Sequence, residues 1–153
     1  MHILLYQPEI PPNTGNIARL CAATHTPLHL IEPLGFKLED RYLKRAGLDY
    51  WKHVRLKVWP QLDDYLLSDG LGRRLVITSA RGGVAVHQFM FSTDDTLVFG
   101  RETAGLPKDL MDQYEHKVRV PIYSTVRSLN LSTAAGIILY QALSITGMLT
   151  KIG

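Results

Sequence analysis

The sequence has little cysteine and no long hydrophobic run, and both absences limit what the protein can be. Cys21 is the only cysteine among 153 residues, so the chain can form neither an internal disulfide nor a cysteine-rich zinc site. No apolar run reaches the roughly 18 residues that a membrane-spanning helix needs. The chain opens on strand-like residues without a cationic segment and cleavage site. We therefore expect a cytoplasmic protein with no membrane segment, and we interpret Cys21 as a buried core residue.

Several common nucleotide-binding and catalytic signatures are also missing. No Gly-x-Gly-x-x-Gly follows the first strand, and there is no P-loop and no Gly-x-Ser-x-Gly. His25 and His29 are four residues apart, but Pro27 interrupts any helix that could align them on a metal. These absences disfavour a Rossmann dinucleotide site, a P-loop nucleotide-binding site, a hydrolase with a nucleophile elbow and a metal centre. We predict no metal.

Length and charge set broad limits. The chain is most simply one domain spanning residues 1–153, and 46% hydrophobic residues exclude a disordered chain. Lysine and arginine number 17 against 14 acidic residues, a net charge of +3. This excess is compatible with RNA as a partner, but alone it does not decide the matter.

Short apolar runs alternate with helical patterns along the chain. Most runs lack the alternation of a half-exposed strand, as expected for strands covered on both faces, but 54–58 alternates and resembles an edge strand. The sequence therefore predicts an α/β fold with a mainly parallel sheet and helices on both faces. The predicted strands are 2–6, 28–31, 54–58, 75–79, 96–99 and 118–122. Asn13 or Thr14 is predicted to cap the first helix, which runs towards Thr24. The other predicted helices cover 38–46, 61–67, 108–114 and 132–149.

Three polar, glycine-bearing loops interrupt this pattern at 8–19, 99–107 and 120–132. Each follows a predicted strand and precedes a predicted helix, so all three belong at the carboxyl ends of the strands, where ligands bind in open parallel sheets. They are rich in backbone donors, hydroxyls, amides and arginine but hold no usual nucleophile. That composition suits group transfer from a cofactor that carries the reactive group. Arg19 is the best candidate to stabilise an oxyanion on the acceptor, the alternative being a surface arginine paired with phosphate or carboxylate.

The same loops resemble the three signature motifs of the SpoU (TrmH-class) branch of the SPOUT RNA methyltransferases. Asn13-Thr14-Gly15-Asn16-Ile17-Ala18-Arg19 is similar to motif 1, Asn-x-Gly-Asn-x-x-Arg. Phe99–Leu106 resembles motif 2, and Val118–Ser132 resembles motif 3 with its Ser-Leu-Asn-Leu-Ser ending. The segments 6–12 and 45–51 are similar to the minimal YibK/TrmL type, which has no additional RNA-binding domain.

The resemblance implies an activity and a set of site residues. It implies transfer of a methyl group from S-adenosylmethionine to the ribose 2′-hydroxyl of the wobble nucleotide, cytidine or modified uridine, in the tRNA anticodon stem-loop. It also implies a deep trefoil knot near the C-terminus and a catalytic role for Arg19. The donor-binding residues at matching positions are Thr78, Gly100, Val120, Ile122, Ser128 and Leu129.

RNA contacts follow partly from the resemblance and partly from spacing. The motifs implicate Asn13, Arg19 and Arg127, and Tyr140 can present its hydroxyl to RNA if it is not a core tyrosine. A basic face is predicted separately, because three residues of the predicted 38–46 helix follow i, i+3, i+4 spacing. These are Arg41, Lys44 and Arg45, and the alternative is an ordinary solvated face.

The last predicted helix is apolar around most of its circumference, so a second copy of the chain is the expected cover. The resemblance adds that such enzymes form each site at the boundary between two subunits. We therefore expect a homodimer. Two other functions stay open: a non-catalytic RNA-binding module, which transfers no methyl group, and a small α/β protein that binds a mononucleotide or flavin.

Overall fold

The protein, described by a computed structural model over residues 1–39, 43 and 48–153, is built on a seven-stranded parallel sheet. The strand order is β3-β2-β1-β6-β4-β7-β5. The strands are β1 (His2–Tyr6), β2 (Leu28–Ile31), β3 (Leu56–Trp59), β4 (Arg74–Thr78), β5 (Val84–Ala85), β6 (Asp95–Phe99) and β7 (Lys117–Arg119).

Within the described residues, five α-helices cover the sheet. They are α1 (Pro11–Thr24), α2 (Leu48–Trp51), α3 (Leu62–Leu66), α4 (Lys108–Gln113) and α5 (Leu131–Ile145), with short 3₁₀ helices at Val86–Gln88 and Met148–Lys151. Because strand side chains alternate, each central strand feeds two cores. Ile3 and Leu5 pack with residues of α1 and α5, whereas Leu4 packs with Tyr65 of α3 on the other face. The predicted α/β fold with a parallel sheet covered on both faces is confirmed.

Several predicted boundaries differ from the structure. The prediction that Asn13 or Thr14 caps the first helix is wrong, because α1 begins at Pro11 and its N-cap is Ile10. Prolines suit the first helical positions, where the backbone N–H has no partner within the helix. Strand β7 ends at Arg119, just before the segment containing Pro121. The last helix ends at Ile145, and Gly147 with a φ of 69° precedes the 3₁₀ turn.

The predicted edge strand is at the edge of the sheet, since β3 pairs with β2 alone. Its outward basic residues already have partners in the chain. Lys57 forms an ion pair with Asp69 at 2.7 Å, and Arg55, which precedes the strand, donates to the backbone carbonyl of His25.

Cys21 is buried in the core against α5, as predicted. Within the described residues there is no helix long and apolar enough to cross a membrane. Most of the predicted 38–46 helix, including Arg41, Lys44 and Arg45, lies outside the described residues.

Candidate active site

A pocket of about 880 Å³ lies beyond the carboxyl ends of β4, β6 and β7. Its lining comes from the β4–β5, β6–α4 and β7–α5 loops and from the first part of α1. Thus the crevice expected from the three motif loops is present. All six residues predicted to bind the donor line this pocket: Thr78, Gly100, Val120, Ile122, Ser128 and Leu129. Asn13 and Arg127 line it as well.

The β6–α4 loop is a tight hairpin that forms one wall. Arg101 and Gly105 form an antiparallel bridge, and the Gly105 N–H donates to the Arg101 carbonyl at 2.9 Å. Gly105 has a φ of 68°, which favours glycine. A Cβ atom on Gly100 would lie 2.3 Å from the backbone of Gly105 and Leu106. Glycine at position 100 therefore allows the hairpin to close on itself.

A chain of side-chain hydrogen bonds links the three motif loops. The Glu102 carboxylate accepts from the backbone N–H groups of Glu9 at 2.8 Å and Ile10 at 3.0 Å, and from Asn13 Nδ2 at 3.4 Å. Asn130 Nδ2 donates to Asn13 Oδ1 at 2.9 Å, while its own Oδ1 caps α5 by accepting from Ser132 N at 2.9 Å. Motifs 1, 2 and 3 are thereby held together at the carboxyl ends of the strands.

Asn13, for which an RNA contact is predicted, lines the pocket and is held between two motif loops. Asn13 is only 5% exposed, and its amide bonds Glu102 on one side and Asn130 on the other. Buried amides that already have partners hold structure in place more readily than they bind a ligand. Asn13 therefore acts between the motif loops.

The charged lining of the pocket favours anionic groups of a ligand, such as a carboxylate or a phosphate. Arg81, Arg101 and Arg127 stand against a single acid, Glu102, whose carboxylate is occupied by the N–H groups described above. Arg101 donates to the Gln7 side chain, and its Nε is buried without a hydrogen-bond partner among the described residues. Guanidinium groups suit phosphate and carboxylate oxygens.

Arg19 lies on an exposed part of α1, outside the pocket lining. Its guanidinium lies 6.0 Å from the centre of the Tyr50 ring, and Tyr50 in turn donates to the Gly15 carbonyl at 3.2 Å. Arg19 is not close to the N-terminus of its helix, because α1 begins eight residues earlier, at Pro11. At 1.5 Å per residue this is about 12 Å, too far for the helix dipole to favour negative charge there.

Helix α5 buries one side within its own chain and leaves another open. Ala135, Ile138, Leu139, Ala142 and Leu143 are buried, whereas Ile137, Tyr140 and Ile145 are 38–45% exposed. Tyr140 is therefore a surface residue of α5. Helices α1 and α5 pack against each other, so Arg19 and Tyr140 belong to one helical layer.

Sequence reasoning missed three residues of this site, Glu102, Asn130 and Arg81. The first two stand inside the motifs, but nothing in their spacing shows that Glu102 meets residues 9–13 or that Asn130 meets Asn13. Arg81 follows β4 in a loop where the Ser79 hydroxyl accepts from the N–H groups of Arg81 and Gly82. No cluster of three metal-ligating side chains occurs within the described part of the chain.

The fold and pocket define a parallel α/β protein with an arginine-lined pocket where three loops meet. More particularly, the chain belongs to the SpoU rRNA methylase family, whose model matches residues 1–140. The resemblance seen in the sequence is confirmed.

Relatives named as tRNA methyltransferases match nearly the full chain. It is 49% identical over 142 residues to a tRNA (cytidine(34)-2′-O)-methyltransferase of Methylovorus glucosotrophus, covering 92% of each chain. It is 43% identical over 144 residues to an enzyme of the same name from Aeromonas hydrophila, covering 93% of this chain and 92% of the other.

Solved structures agree with this assignment. A protein studied for 2-OH methylation of C/U34 on tRNA superposes with a TM-score of 0.90 at 44% identity, covering 98% of this chain and 96% of the other. The SpoU methyltransferase AviRb from Streptomyces viridochromogenes, in complex with AdoMet, gives a TM-score of 0.82 at 25% identity, covering 94% of this chain and 59% of that one.

Proposed function

We propose that the protein transfers the methyl group of S-adenosylmethionine to the ribose 2′-hydroxyl of tRNA nucleotide 34, a cytidine or modified uridine. The single observation that carries the proposal is that all six motif-matched donor residues line one pocket beyond the carboxyl ends of parallel strands. The names of the relatives supply the substrate: enzymes 43–49% identical to this chain are called tRNA (cytidine(34)-2′-O)-methyltransferases.

The pocket fits a nucleoside-type donor. The 120–129 loop makes one backbone–backbone hydrogen bond among the described residues, from Val126 N to Tyr123 O, so its other amides and carbonyls are open to a base and ribose. Ile122 and Leu129 offer apolar contact, and Arg81, Arg101 and Arg127 offer partners for the donor carboxylate or RNA phosphate. When bound, S-adenosylmethionine supplies an already electrophilic methyl group.

Arg19 has the role of stabilising the acceptor. Methyl transfer forms a C–O bond at the 2′-oxygen, breaks the C–S bond and releases the hydroxyl proton. A guanidinium beside this oxygen offsets the negative charge that develops there. Arg19 suits the role because it is exposed and has no acidic partner among the described residues.

A homodimer completes the proposed site. Arg19 lies outside the pocket of its own chain, so it needs a second copy to meet a donor. The exposed apolar residues Ile137 and Ile145 of α5, next to α1, are the proposed contact surface. In this proposal residues 1–153 form one cytoplasmic domain with the deep trefoil knot that the resemblance implies.

The RNA surface of the proposal combines several basic residues with Tyr140. Arg19 and Arg127 are exposed near the motif loops, and Tyr140 is exposed on α5. Arg41, Lys44 and Arg45 are proposed to contact phosphates of the anticodon stem-loop. Asn13 contributes indirectly, through the bonds that orient the motif loops.

The function is tested by incubating the protein with labelled S-adenosylmethionine and unmodified tRNA transcripts, then mapping the methylated nucleotide. We expect label at nucleotide 34 and none in a transcript that carries a 2′-deoxyribose there. Tight tRNA binding without methyl transfer in the presence of bound donor would instead support a non-catalytic RNA-binding module.

The dimer is tested with Ile137→Asp, because Ile137 is 40% exposed within the chain and its replacement spares the monomer core. Leu67→Asp is the control, since Leu67 is 78% exposed in the segment after α3. We expect Ile137→Asp alone to lower both the sedimenting mass and the activity at micromolar concentration. A fully active, folded monomer would contradict the shared site.

A further inference from the structure

Glu9, between β1 and α1, forms a hydrogen-bonded clasp with the tip of the 101–105 hairpin. Its carboxylate accepts from the Thr103 backbone N–H at 3.0 Å and from the Thr103 hydroxyl at 2.8 and 3.0 Å. In the reverse direction, the Glu102 carboxylate accepts from the Glu9 N–H at 2.8 Å. Each segment thus contributes one carboxylate that accepts hydrogen bonds from the other segment, so the contacts between the two are reciprocal.

The segment that carries Glu9 is itself held from behind. The Gly35 N–H donates to the Pro8 carbonyl at 2.9 Å, and a Cβ atom on Gly35 would lie 2.7 Å from the Glu9 Cα. Gln7, just before, has a φ of 50° and accepts from Arg101. Non-glycine residues in this conformation persist where surrounding contacts fix them. Glu9 is therefore mounted on a constrained backbone.

The hairpin at the other side of the clasp forms a pocket wall. Gly100, Thr103 and Leu106 line the pocket, whereas Glu9 does not. Ile10 and Asn13, on the segment that leads into α1, line the facing part. Hence the Glu9–Thr103 contact sets the position of one wall relative to the other without touching a ligand.

We propose that Glu9 is a positioning residue for methyl transfer, holding the 101–105 hairpin against the start of α1 so that the donor pocket keeps its shape. The inference rests on the proposed function for its link to catalysis. Hydrogen bonds to a charged acceptor are stronger than those between neutral groups. The Thr103 N–H, followed by its hydroxyl, lowers the pKa of Glu9, so the carboxylate is ionised at neutral pH and the clasp is formed.

The first experiment measures donor binding without RNA. By calorimetry, Glu9→Ala should weaken S-adenosylmethionine binding on the order of 10-fold, because a displaced wall misplaces the groups that orient the donor. Glu9→Gln keeps one carbonyl acceptor and should lose less. The matched control is Glu115→Gln, an exposed glutamate after α4, which should bind as the wild type does. Unchanged donor affinity in folded Glu9→Ala protein would overturn the proposal.

The second experiment separates positioning from plain stability. Single-turnover methyl transfer at saturating donor should fall about 10-fold in Glu9→Ala at a temperature where melting curves show it fully folded. Thr103→Ala should show a smaller loss, and the double variant should equal Glu9→Ala, since Glu9 is the only hydrogen-bond partner of the Thr103 hydroxyl among the described residues. Additive losses would overturn the coupling between the two residues.

The two arms also separate this inference from the proposed function. If the wild-type protein binds donor but methylates no tRNA, the proposed function fails while calorimetry still decides whether Glu9 shapes the pocket.

Discussion

Two hydrogen-bond networks lie in different parts of the molecule, one in the loops at the carboxyl ends of the strands and one on the face of the sheet under α3, and they differ in charge and burial. The loop network at the carboxyl ends consists of Glu9, Asn13, Glu102, Thr103 and Asn130, and its acceptors include two carboxylates. The histidine network consists of His2, His29, Trp59, Tyr65 and Thr96 and lies under α3. The first network joins segments that line the pocket, whereas the second joins strands to a covering helix.

The histidine network is neutral. The Trp59 indole N–H donates to His29 Nδ1 at 3.1 Å, and a protonated His29 would place two donors face to face. Burial lowers the pKa of His2 to about 3 and that of His29 to about 4. Neutral groups cost less to bury than ions, which explains how this network fits inside the core.

The difference in charge and burial indicates what each network contributes. Partly exposed carboxylates can be removed with little loss of core packing. The loop network therefore contributes mainly to the geometry of the pocket. Tyr65 is fully buried, so its hydroxyl would be left without a hydrogen bond if its partners were removed. The histidine network therefore contributes mainly to the stability of the fold. Variants at the carboxyl ends should lose activity and stay folded. Variants in the histidine network should lose stability and keep the methyl-transfer activity of the folded protein.

The largest expected effect is at Arg19, beyond the loop network on the same helix. Arg19→Ala should lower the single-turnover rate of methyl transfer on the order of 10²–10³-fold, as loss of one oxyanion-stabilising group commonly does. Donor affinity and melting temperature should stay unchanged, because the side chain is exposed and outside the pocket. Lys52→Ala, an exposed cation just after α2, is the control. A near-normal rate with uniformly weaker tRNA binding would assign Arg19 to phosphate contact instead.

The next effect concerns the hairpin wall. Gly100→Ala should weaken donor binding about 10-fold, since even one Cβ would meet the Gly105 backbone at 2.3 Å and push the hairpin outward. Gly82→Ala is the matched control near the same pocket, where the added Cβ would have an ordinary contact of 3.6 Å with Ser79. Calorimetry on both variants checks this. Equal donor affinities in the two variants would show that the hairpin accommodates the added Cβ without disturbing the pocket wall.

Sequence reasoning located the pocket residues but not the network that arranges them. The strand-then-loop pattern predicted that the loops 8–19, 99–107 and 120–132 lie together, because parallel strands end together, and the family resemblance supplied the donor residues Thr78, Gly100 and Leu129. The contact between Glu9 and Thr103 spans 94 positions and depends on how α1 enters, which periodicity does not encode. Ile10 as the N-cap illustrates the same limit: the paired prolines outweighed the better capping residues that follow.

A smaller effect is expected in the histidine network. Tyr65→Phe removes a hydroxyl that lies 2.7 Å from Thr96 Oγ1 and 3.1 Å from His2 Nδ1. Leaving buried partners unsatisfied costs about 1–3 kcal/mol, so the free energy of unfolding in urea should fall by about that amount. The methyl-transfer rate of the folded protein should not change. Tyr114→Phe, a half-buried tyrosine at the end of α4, is the control. Lost activity at full stability would erase the distinction between the two networks.

The histidine network also makes the stability of the folded protein depend on pH. The ordinary histidine pKa is 6.5 and the folded pKa of His29 is about 4, so between these values the unfolded chain binds a proton that the folded chain does not. The contribution of His29 to stability is therefore complete above pH 6.5 and declines as pH falls towards 4. The decline is limited to about 1.4 kcal/mol per pH unit.

Urea unfolding at pH 7 and pH 5 tests this sign. The wild type should be less stable at pH 5, and His29→Gln, which keeps an acceptor for Trp59, should lose less between the two values. His53→Gln, an exposed histidine, should keep the wild-type difference. Glu9 has a lowered pKa and stays ionised at pH 5, so donor affinity of the folded protein should hold while stability falls. An identical pH difference in His29→Gln would contradict a neutral His29, because a histidine already charged in the folded state has no such linkage.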